Sequence, residues 1–179
     1  MKKVIILIPV YNDWESLNKL LEEINENIKS FNDINFECLI VNDASIAQPP
    51  KLSKPSNFAL VELLNMKENR GHARCNAFGI RYVFHNKKFD NLILMDGDGE
   101  DRPEEIKNFI QLSEKSGDKS LVGERVKRSE GIIFKVCYQF HKFLTLTFTG
   151  KSIKFGNYTC LSKSTIKKML DEKATWNSF

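Results

Sequence analysis

The feature that most restricts the fold is an uninterrupted apolar run near the start of the chain, Val4 to Val10. A strand with one face in water alternates apolar and polar residues, whereas this run is apolar throughout and rich in β-branched side chains. Such a run is typical of a central strand in a parallel sheet that helices cover on both faces. The sequence therefore predicts an α/β domain built around this strand.

The rest of the chain alternates between strand and helix patterns. The sequence predicts further strands over 36–41, 60–64, 92–95 and from 121, and helices from Trp14, over 73–84 and over 103–116. Such alternation requires right-handed crossovers and gives a doubly wound, mainly parallel sheet with helices on both faces. The 179 residues are enough for one such domain with a sizeable core.

An acidic segment follows the fourth predicted strand. Asp96, Asp98 and Glu100 alternate with glycines there. Residues two apart on an extended backbone point to the same side, so these three carboxylates are expected to converge. Crowded carboxylates repel one another, and a hard divalent cation relieves that repulsion while keeping positions open for phosphate oxygens. The alternative is a solvated loop whose acids, including Asp101, favour the start of the next helix.

Other acidic residues fall at the same predicted edge of the sheet. Asp13 follows the first strand and Asp43 follows the second. Ligands of doubly wound sheets bind beyond the carboxyl ends of the strands. Asp43 is therefore a candidate to accept hydrogen bonds from a nucleobase or ribose, and its alternative is an Asx turn or a helix cap.

Charge and cysteine usage restrict the setting. The net charge is +4, with many cations between residues 119 and 154, which suits an anionic substrate, an anionic membrane surface or a solvated basic face. Residues 132–148 are rich in large apolar side chains and predict either a core helix or a helix lying against a membrane. The four scattered cysteines predict reduced, mostly buried thiols in a cytoplasmic protein.

Four motifs, in family order, resemble those of family 2 glycosyltransferases with the GT-A fold. They are Pro9-Val10-Tyr11-Asn12-Asp13 for P-x-Y-N-E, Val41-Asn42-Asp43-Ala44-Ser45 for V-D-D-G-S, Asn69-Arg70-Gly71 for N-x-G, and Asp96-Gly97-Asp98 for D-x-D. The resemblance implies an inverting enzyme in which residues 1–125 bind a nucleotide-diphosphate sugar. Residues 126–179 would form the acceptor side, and their apolar ending looks cut short.

The segment from Asp96 to Glu104 resembles the D-A-D-L-Q-D-P-P-E of the dolichol-phosphate mannose synthase-like and polyprenyl-phosphate glycosyltransferase branch. This resemblance implies that Asp96 faces the nucleotide sugar and a Mg²⁺ or Mn²⁺ ion. Asp98 would ligate the metal, and Glu100 stands where a glutamine supplies another ligand. Gly123-Glu124-Arg125 is similar to G-S-R, whose arginine holds phosphate. Arg125 is therefore a catalytic candidate with Asp96 and Asp98.

The resemblance also implies roles in donor and acceptor binding. The donor candidates are Pro9, Tyr11, Asp13, Asp43, Arg70, His72 and Asp96, and the acceptor-phosphate candidates are Arg125 and Arg128. The alternatives are core packing for Tyr11, helix capping for Asp13 and an exposed helix start for Arg70 and His72. This sequence departs from the family motifs at Asp13, which replaces glutamate, and at Asn42, which replaces aspartate.

The acceptor is inferred from an absence in the sequence pattern. No residue between 128 and 179 presents itself as a general base, and a phosphate acceptor, already ionised, needs positioning more than deprotonation. The sequence thus favours polyprenyl or dolichyl phosphate over a saccharide hydroxyl in surface-polysaccharide synthesis or a silent nucleotide-binding module. We expect a cytoplasmic protein of cell-envelope biosynthesis, in peripheral contact with the inner face of the membrane through 132–148, with no nucleic-acid partner.

Overall fold

The computed structural model describes residues 1–50, 52, 54–124 and 155–172, with side chains omitted at 124, 155 and 156. The chain divides into two compact units, Met1–Leu121 with Tyr158–Phe179, and Val122–Asn157. The described residues of the second unit, 122–124 and 155–157, belong to strands. All the other elements lie in the first unit.

Six strands and four α-helices form within the described residues. In chain order they are β1 Lys2–Val10, α1 Trp14–Ile28, β2 Ile34–Asn42, β3 Phe58–Asn65, α2 His72–Asn86, β4 Asn91–Leu94, α3 Ile106–Ser116, β5 Leu121–Glu124, β6 Phe155–Ser162 and α4 Lys163–Asp171. A 3₁₀ turn, Pro103–Glu105, leads into α3. Every strand and helix predicted up to residue 124 is present, and β6 and α4 are additional.

The strands form one six-stranded sheet in the order β3-β2-β1-β4-β6-β5. Strand β1 pairs in parallel with β2 and β4, and β2 pairs in parallel with β3. Strand β6 is antiparallel to β4. The prediction of a mainly parallel sheet with Val4–Val10 at its centre is therefore confirmed. Because Val10 is level with Asn42, and Asn42 with Asn65, three carboxyl ends meet at one edge.

Alternate residues of β1 enter two separate cores, one on each face of the sheet. Ile6 and Ile8 pack with α1 and α3, whereas Ile5 and Leu7 pack with α2 and α4. Helix α2 approaches the sheet closely, since a Cβ at Gly79 would lie 2.5 Å from Leu7 Cδ1. Each fully buried aliphatic side chain contributes about 1.5–3 kcal/mol, so both cores stabilise the sheet.

Three cysteines, Cys38, Cys75 and Cys160, are free and buried, as predicted, whereas Cys137 lies outside the described residues. Among the described helices, none combines the length and apolar character needed to cross a membrane.

Candidate functional site

The carboxyl ends of β1, β2 and β4 bring the predicted site residues to one edge of the sheet. Backbone hydrogen bonds from Asp43 N–H to the Val10 carbonyl and from Met95 N–H to the Leu7 carbonyl continue the parallel pairing past the strand ends. Asp13, Asp43 and Asp96 follow these ends. The structure thus places the three acids at the common edge that the sequence predicts.

Asn12 ties the loop after β1 to the loop after β2. Its backbone adopts φ 60°, a left-handed conformation that asparagine tolerates better than most residues. Its N–H donates to Ser45 Oγ at 2.8 Å, and its Oδ1 accepts from Ile46 N–H at 2.8 Å and Ala47 N–H at 3.2 Å. Both loops are therefore held as one unit beside the sheet edge.

Tyr11 and Asp13 flank this asparagine. Tyr11 is 46% exposed, so core packing does not account for it. Asp13 Oδ1 accepts the N–H of Ser16 at 3.2 Å and caps α1, which is the structural alternative for this residue. Such a cap stabilises a helix by about 0.5–2 kcal/mol. The Pro9 backbone packs closely against the turn after β4. A Cβ added at Gly97 would lie only 3.0 Å from the Pro9 carbonyl oxygen, so a larger residue at position 97 would be crowded.

Asp43 holds the backbone that leads into α2. It is only 4% exposed, and its Oδ1 and Oδ2 accept the N–H groups of Arg70 at 2.7 Å and Gly71 at 2.8 Å. Burial raises the pKa of the Cys75 thiol to about 12, and the charge of Asp43 and a hydrogen bond to it add to the rise. Asp43 is thus neither an Asx turn nor a cap of its own segment but an anchor for a distant loop.

Asn42 has a structural explanation for its departure from the family motif. It is buried, its Nδ2 donates to Asn65 Oδ1 at 2.8 Å, and its Oδ1 accepts from Ser45 N–H at 2.9 Å. An aspartate would accept from Ser45, but it would need the Asn65 amide to turn its Nδ2 towards it and would bury a charge at the strand ends. The amide therefore links the ends of β2 and β3 through neutral groups.

The segment after β4 is a turn and not the extended backbone that the sequence predicts. Gly99 adopts φ 79°, and Asp98 Oδ1 accepts the N–H of Glu100 at 2.9 Å. Positive φ breaks the two-residue alternation that extended backbone imposes. Within the described residues, no three His, Cys, Asp or Glu side chains form a group that could hold a metal ion.

Asp101 supports this turn from inside. It is 3% exposed, and its Oδ2 accepts the backbone N–H of Asp96 at 2.8 Å. Nearby, the Tyr158 hydroxyl donates to the Arg102 carbonyl at 3.0 Å, and burial raises the pKa of Tyr158, with the charge of Asp101 adding to the rise. Sequence reasoning assigned Asp101 only to the start of a helix and missed its role in fixing Asp96.

His72, the first residue of α2, contacts Asp96 across the site. Its Nε2 lies 3.2 Å from Asp96 Oδ1 and 2.9 Å from Asn76 Nδ2. The hydrogen bond to Asp96 raises the pKa of His72, the charges of Asp96, Asp98 and Asp101 add to the rise, and burial opposes it. Arg70, in contrast, pairs with Glu68. At the start of α2, His72 therefore contacts the acidic segment, whereas the Arg70 side chain pairs with Glu68.

The carboxylates of the acidic turn other than Asp101 have the chemistry that a divalent cation prefers. Asp96 is partly buried, whereas Asp98 and Glu100 are exposed. Carboxylate oxygens are hard ligands, and Mg²⁺ is commonly bound through one or two carboxylates together with water and substrate phosphates. Asp96 and Asp98 therefore offer the kind of oxygen ligand that Mg²⁺ and Mn²⁺ take. The predicted phosphate ligands Arg125 and Arg128 and the predicted membrane segment 132–148 lie outside the described residues.

The fold and these residues define an α/β domain with a set of acidic side chains at the carboxyl edge of its sheet. The sequence profile described as Glycosyl transferase family 2 matches residues 5–174. The chain belongs to this family, which confirms the resemblance seen in its four motifs.

Among the proteins similar in sequence are curated relatives that share one name. The chain is 29% identical over 170 residues to an undecaprenyl-phosphate 4-deoxy-4-formamido-L-arabinose transferase of Yersinia enterocolitica, covering 92% of this chain and 49% of the relative. It is 28% identical over 173 residues to the protein of that name in Proteus mirabilis, covering 96% and 51%. The chain thus spans about half the length of the curated relatives it matches.

Solved structures share the fold. S. aureus TarS 1–349 matches with a TM-score of 0.58 and 15% identity, over 94% of this chain and 49% of that one. The mannosyltransferase PcManGT from Pyrobaculum calidifontis, in complex with GDP-Man and Mn²⁺, matches with a TM-score of 0.57 and 18% identity, over 96% and 47%. These similarities confirm the predicted GT-A fold.

Proposed function

We propose that this chain transfers a sugar from a nucleotide-diphosphate donor to a polyprenyl phosphate. The observation that carries the proposal is the acidic turn after β4, in which Asp96 is fixed by Asp101 and His72 while Asp98 is exposed to solvent. The family match and the undecaprenyl-phosphate transferases among the relatives support it.

The donor's base and ribose would bind between the ends of β1 and β2. Tyr11 offers an exposed aromatic face, and the two loops around it are already joined through Asn12. Asp43 keeps acceptor capacity, because each carboxylate oxygen accepts more than one hydrogen bond. Arg70 would lie at the margin of the donor, since it pairs with Glu68.

The diphosphate would bind beside Asp96 and Asp98, which would hold Mg²⁺ or Mn²⁺. The cation supplies neutralising charge for the phosphate oxygens of the leaving nucleoside diphosphate. Asp101 holds the backbone of Asp96 and His72 contacts its carboxylate, so ordering this group when the donor binds would cost less free energy. Glu100, also exposed in this turn, is a further candidate ligand.

The transfer step is a displacement at the anomeric carbon. An oxygen of the acceptor phosphate forms the new bond as the bond from that carbon to the diphosphate breaks, and the electron pair leaves with the nucleoside diphosphate. The acceptor oxygen is already ionised, so no proton has to be removed. We assign Arg125 and Arg128 to this phosphate, since a guanidinium forms two parallel hydrogen bonds with it.

The test is turnover of labelled nucleotide sugars with Mn²⁺ and a short-chain polyprenyl phosphate, followed by organic extraction. We expect label in the organic phase and its loss in Asp98→Asn. The matched control is Glu104→Gln, an exposed acid nearby that pairs with Arg102. Label transferred only to a free saccharide would overturn the lipid-phosphate assignment, and no turnover with any donor would overturn the enzymatic one.

Arg125→Lys tests the acceptor assignment separately, because lysine keeps the charge but loses the two-pronged geometry. We expect a higher KM for polyprenyl phosphate at unchanged donor affinity, measured with both substrates varied. Unchanged acceptor kinetics would contradict the role of Arg125.

A further inference from the structure

The two helical layers of the sheet carry opposite charge. Helices α2 and α4, which pack on one face, contain five lysines and arginines and one acid. Helices α1 and α3 with the 3₁₀ turn, on the other face, contain seven glutamates and three lysines. The formal charges of these two layers are therefore +4 and −4. The overall net charge of +4 conceals this asymmetry.

The positive charge of the first layer lies on its outer surface, the basic face, which comprises Arg74, Phe78, Arg81, Lys163, Lys167 and Lys168. All six side chains are exposed. On α2 the spacing of three or four residues places Phe78 on the same stripe as both arginines. Cys75, Gly79 and Val83 are buried on the opposite side of this helix. The basic face thus has an aromatic ring, 41% exposed, between two guanidinium groups.

We propose that the basic face binds the surface of an anionic lipid bilayer. Lysines and arginines are attracted to anionic headgroups, and each one near the surface strengthens binding. Long cationic side chains and a neighbouring aromatic ring suit the boundary between headgroups and acyl chains. The proposal rests on the proposed function, since a polyprenyl phosphate acceptor resides in a membrane, and it names the protein surface that reaches that membrane.

A bilayer suits this surface better than a single-stranded nucleic acid. Single-stranded nucleic acids bind in grooves that line up several aromatic side chains for stacking. The basic face has one aromatic residue, Phe78, on the outside of a helix. Lys163 Nζ already lies 5.8 Å from the centre of the buried Phe89 ring. Lys167, Lys168 and Arg74 are therefore the better cations for a test.

The experiment measures co-sedimentation of the full chain with vesicles of phosphatidylcholine, with or without phosphatidylglycerol. The test variant is Arg74→Gln with Lys167→Gln and Lys168→Gln. The matched control removes three exposed lysines from the opposite layer, Lys19→Gln with Lys107→Gln and Lys115→Gln. Both variants change the net charge equally, so they differ only in the face that loses the charge.

We expect the wild type and the control to bind phosphatidylglycerol vesicles and not neutral ones. At roughly fivefold per cation, the test variant should bind about a hundredfold more weakly at low salt. Equal losses in both variants, or no binding by the wild type, would overturn the proposal. So would an oligonucleotide that binds the basic face while vesicles do not. Thermal unfolding by circular dichroism checks that both variants fold.

Turnover separates this proposal from the proposed function. With a water-soluble short-chain acceptor and no vesicles, the test variant should turn over at the wild-type rate. Vesicle binding without turnover would support the membrane-binding role of the basic face and contradict the proposed enzymatic function. Turnover without vesicle binding would support the enzymatic function and contradict the membrane-binding role.

Discussion

Acids follow both β2 and β4 at the same edge of the sheet, but the two strand ends use them differently. After β2, Asp43 is buried, and both of its oxygens accept backbone N–H groups from the approach to α2. After β4, Asp98 is exposed and bonds only within its own turn among the hydrogen bonds described. Asp98 is thus more accessible to a cation than Asp43, because it faces solvent and only one of its oxygens accepts a backbone N–H among the hydrogen bonds described.

Asp101 refines this comparison because it lies in the acidic turn but resembles Asp43. It is buried and accepts the backbone N–H of Asp96. The acidic turn therefore contains one buried carboxylate that shapes the loop, Asp101, and two that face solvent, Asp98 and Glu100. The following predictions test this division, from the largest expected effect to the smallest.

Asp98→Asn should abolish most of the Mn²⁺-dependent affinity for a nucleoside diphosphate, on the order of 100-fold, because a neutral amide is a poor partner for a divalent cation. Its unfolding free energy should change by less than about 0.5 kcal/mol, since the side chain is exposed. Calorimetry with Mn²⁺ and with chelator measures the first effect, and urea unfolding the second. Equal affinity with Mn²⁺ and chelator in the wild type would refute the metal assignment.

Asp43→Ala should lower the unfolding free energy by about 2–4 kcal/mol, because it leaves two backbone N–H groups without their charged acceptor. Urea unfolding at neutral pH measures this loss. The control is Glu22→Ala, an exposed acid on α1, which should stay within about 0.5 kcal/mol of the wild type. A loss at Asp43 as small as at Glu22 would show that the anchor contributes no stability.

Asp101→Asn should lower the unfolding free energy by about 1–2 kcal/mol, since the amide oxygen still accepts from Asp96 N–H but without charge. It should also weaken Mn²⁺-dependent nucleotide affinity severalfold, because the backbone of Asp96 is held less firmly. The same titrations measure both effects. Loss of stability with unchanged metal dependence would show that Asp101 supports the fold and not the site.

His72→Gln should remove a small stabilisation that depends on pH. The folded protein raises the pKa of His72 above its ordinary 6.5, so the protonated ring stabilises the fold at low pH. This contribution is fully present below the unfolded pKa and disappears as the pH rises through the folded one. It should stay below about 1 kcal/mol, because the half-exposed ring is screened by water.

Urea unfolding of wild type and His72→Gln at pH 5.5 and 8.5, with chelator present, measures the difference. If the difference in unfolding free energy between wild type and His72→Gln were larger at pH 8.5 than at pH 5.5, the contact of His72 with Asp96 would be contradicted.

Much of the fold was predictable because its strands and helices have residue patterns that can be recognised from neighbouring residues alone. Val4–Val10 is apolar throughout, and the stripe on α1 has helical spacing, so neither depends on distant partners. Strand β6 was missed because it inserts antiparallel beside β4 from about 60 residues later in the chain, which a strand-helix alternation does not indicate.

The site was predicted as a set of positions but not as an arrangement. Asp43 and Asp96 fall at the expected edge because strand ends set them there. The role of Asp101 was missed because its hydrogen-bond partner is a backbone N–H, and a sequence motif does not reveal which backbone groups a side chain will reach. The backbone between Asp98 and Glu100 was mispredicted because glycines allow a turn where the alternation argument assumes extended backbone.

The link through Asn12 affects the entropy of donor binding. Because Asn12 joins both loops with three hydrogen bonds, the backbone around Tyr11 has little freedom left to lose when a ligand arrives. Ordering one residue's backbone costs about 1–2 kcal/mol, so freeing even two or three residues would weaken binding by more than a typical hydrogen bond contributes. Asn12→Gly would therefore act on affinity through the unbound state, as a less favourable binding entropy with little change in enthalpy.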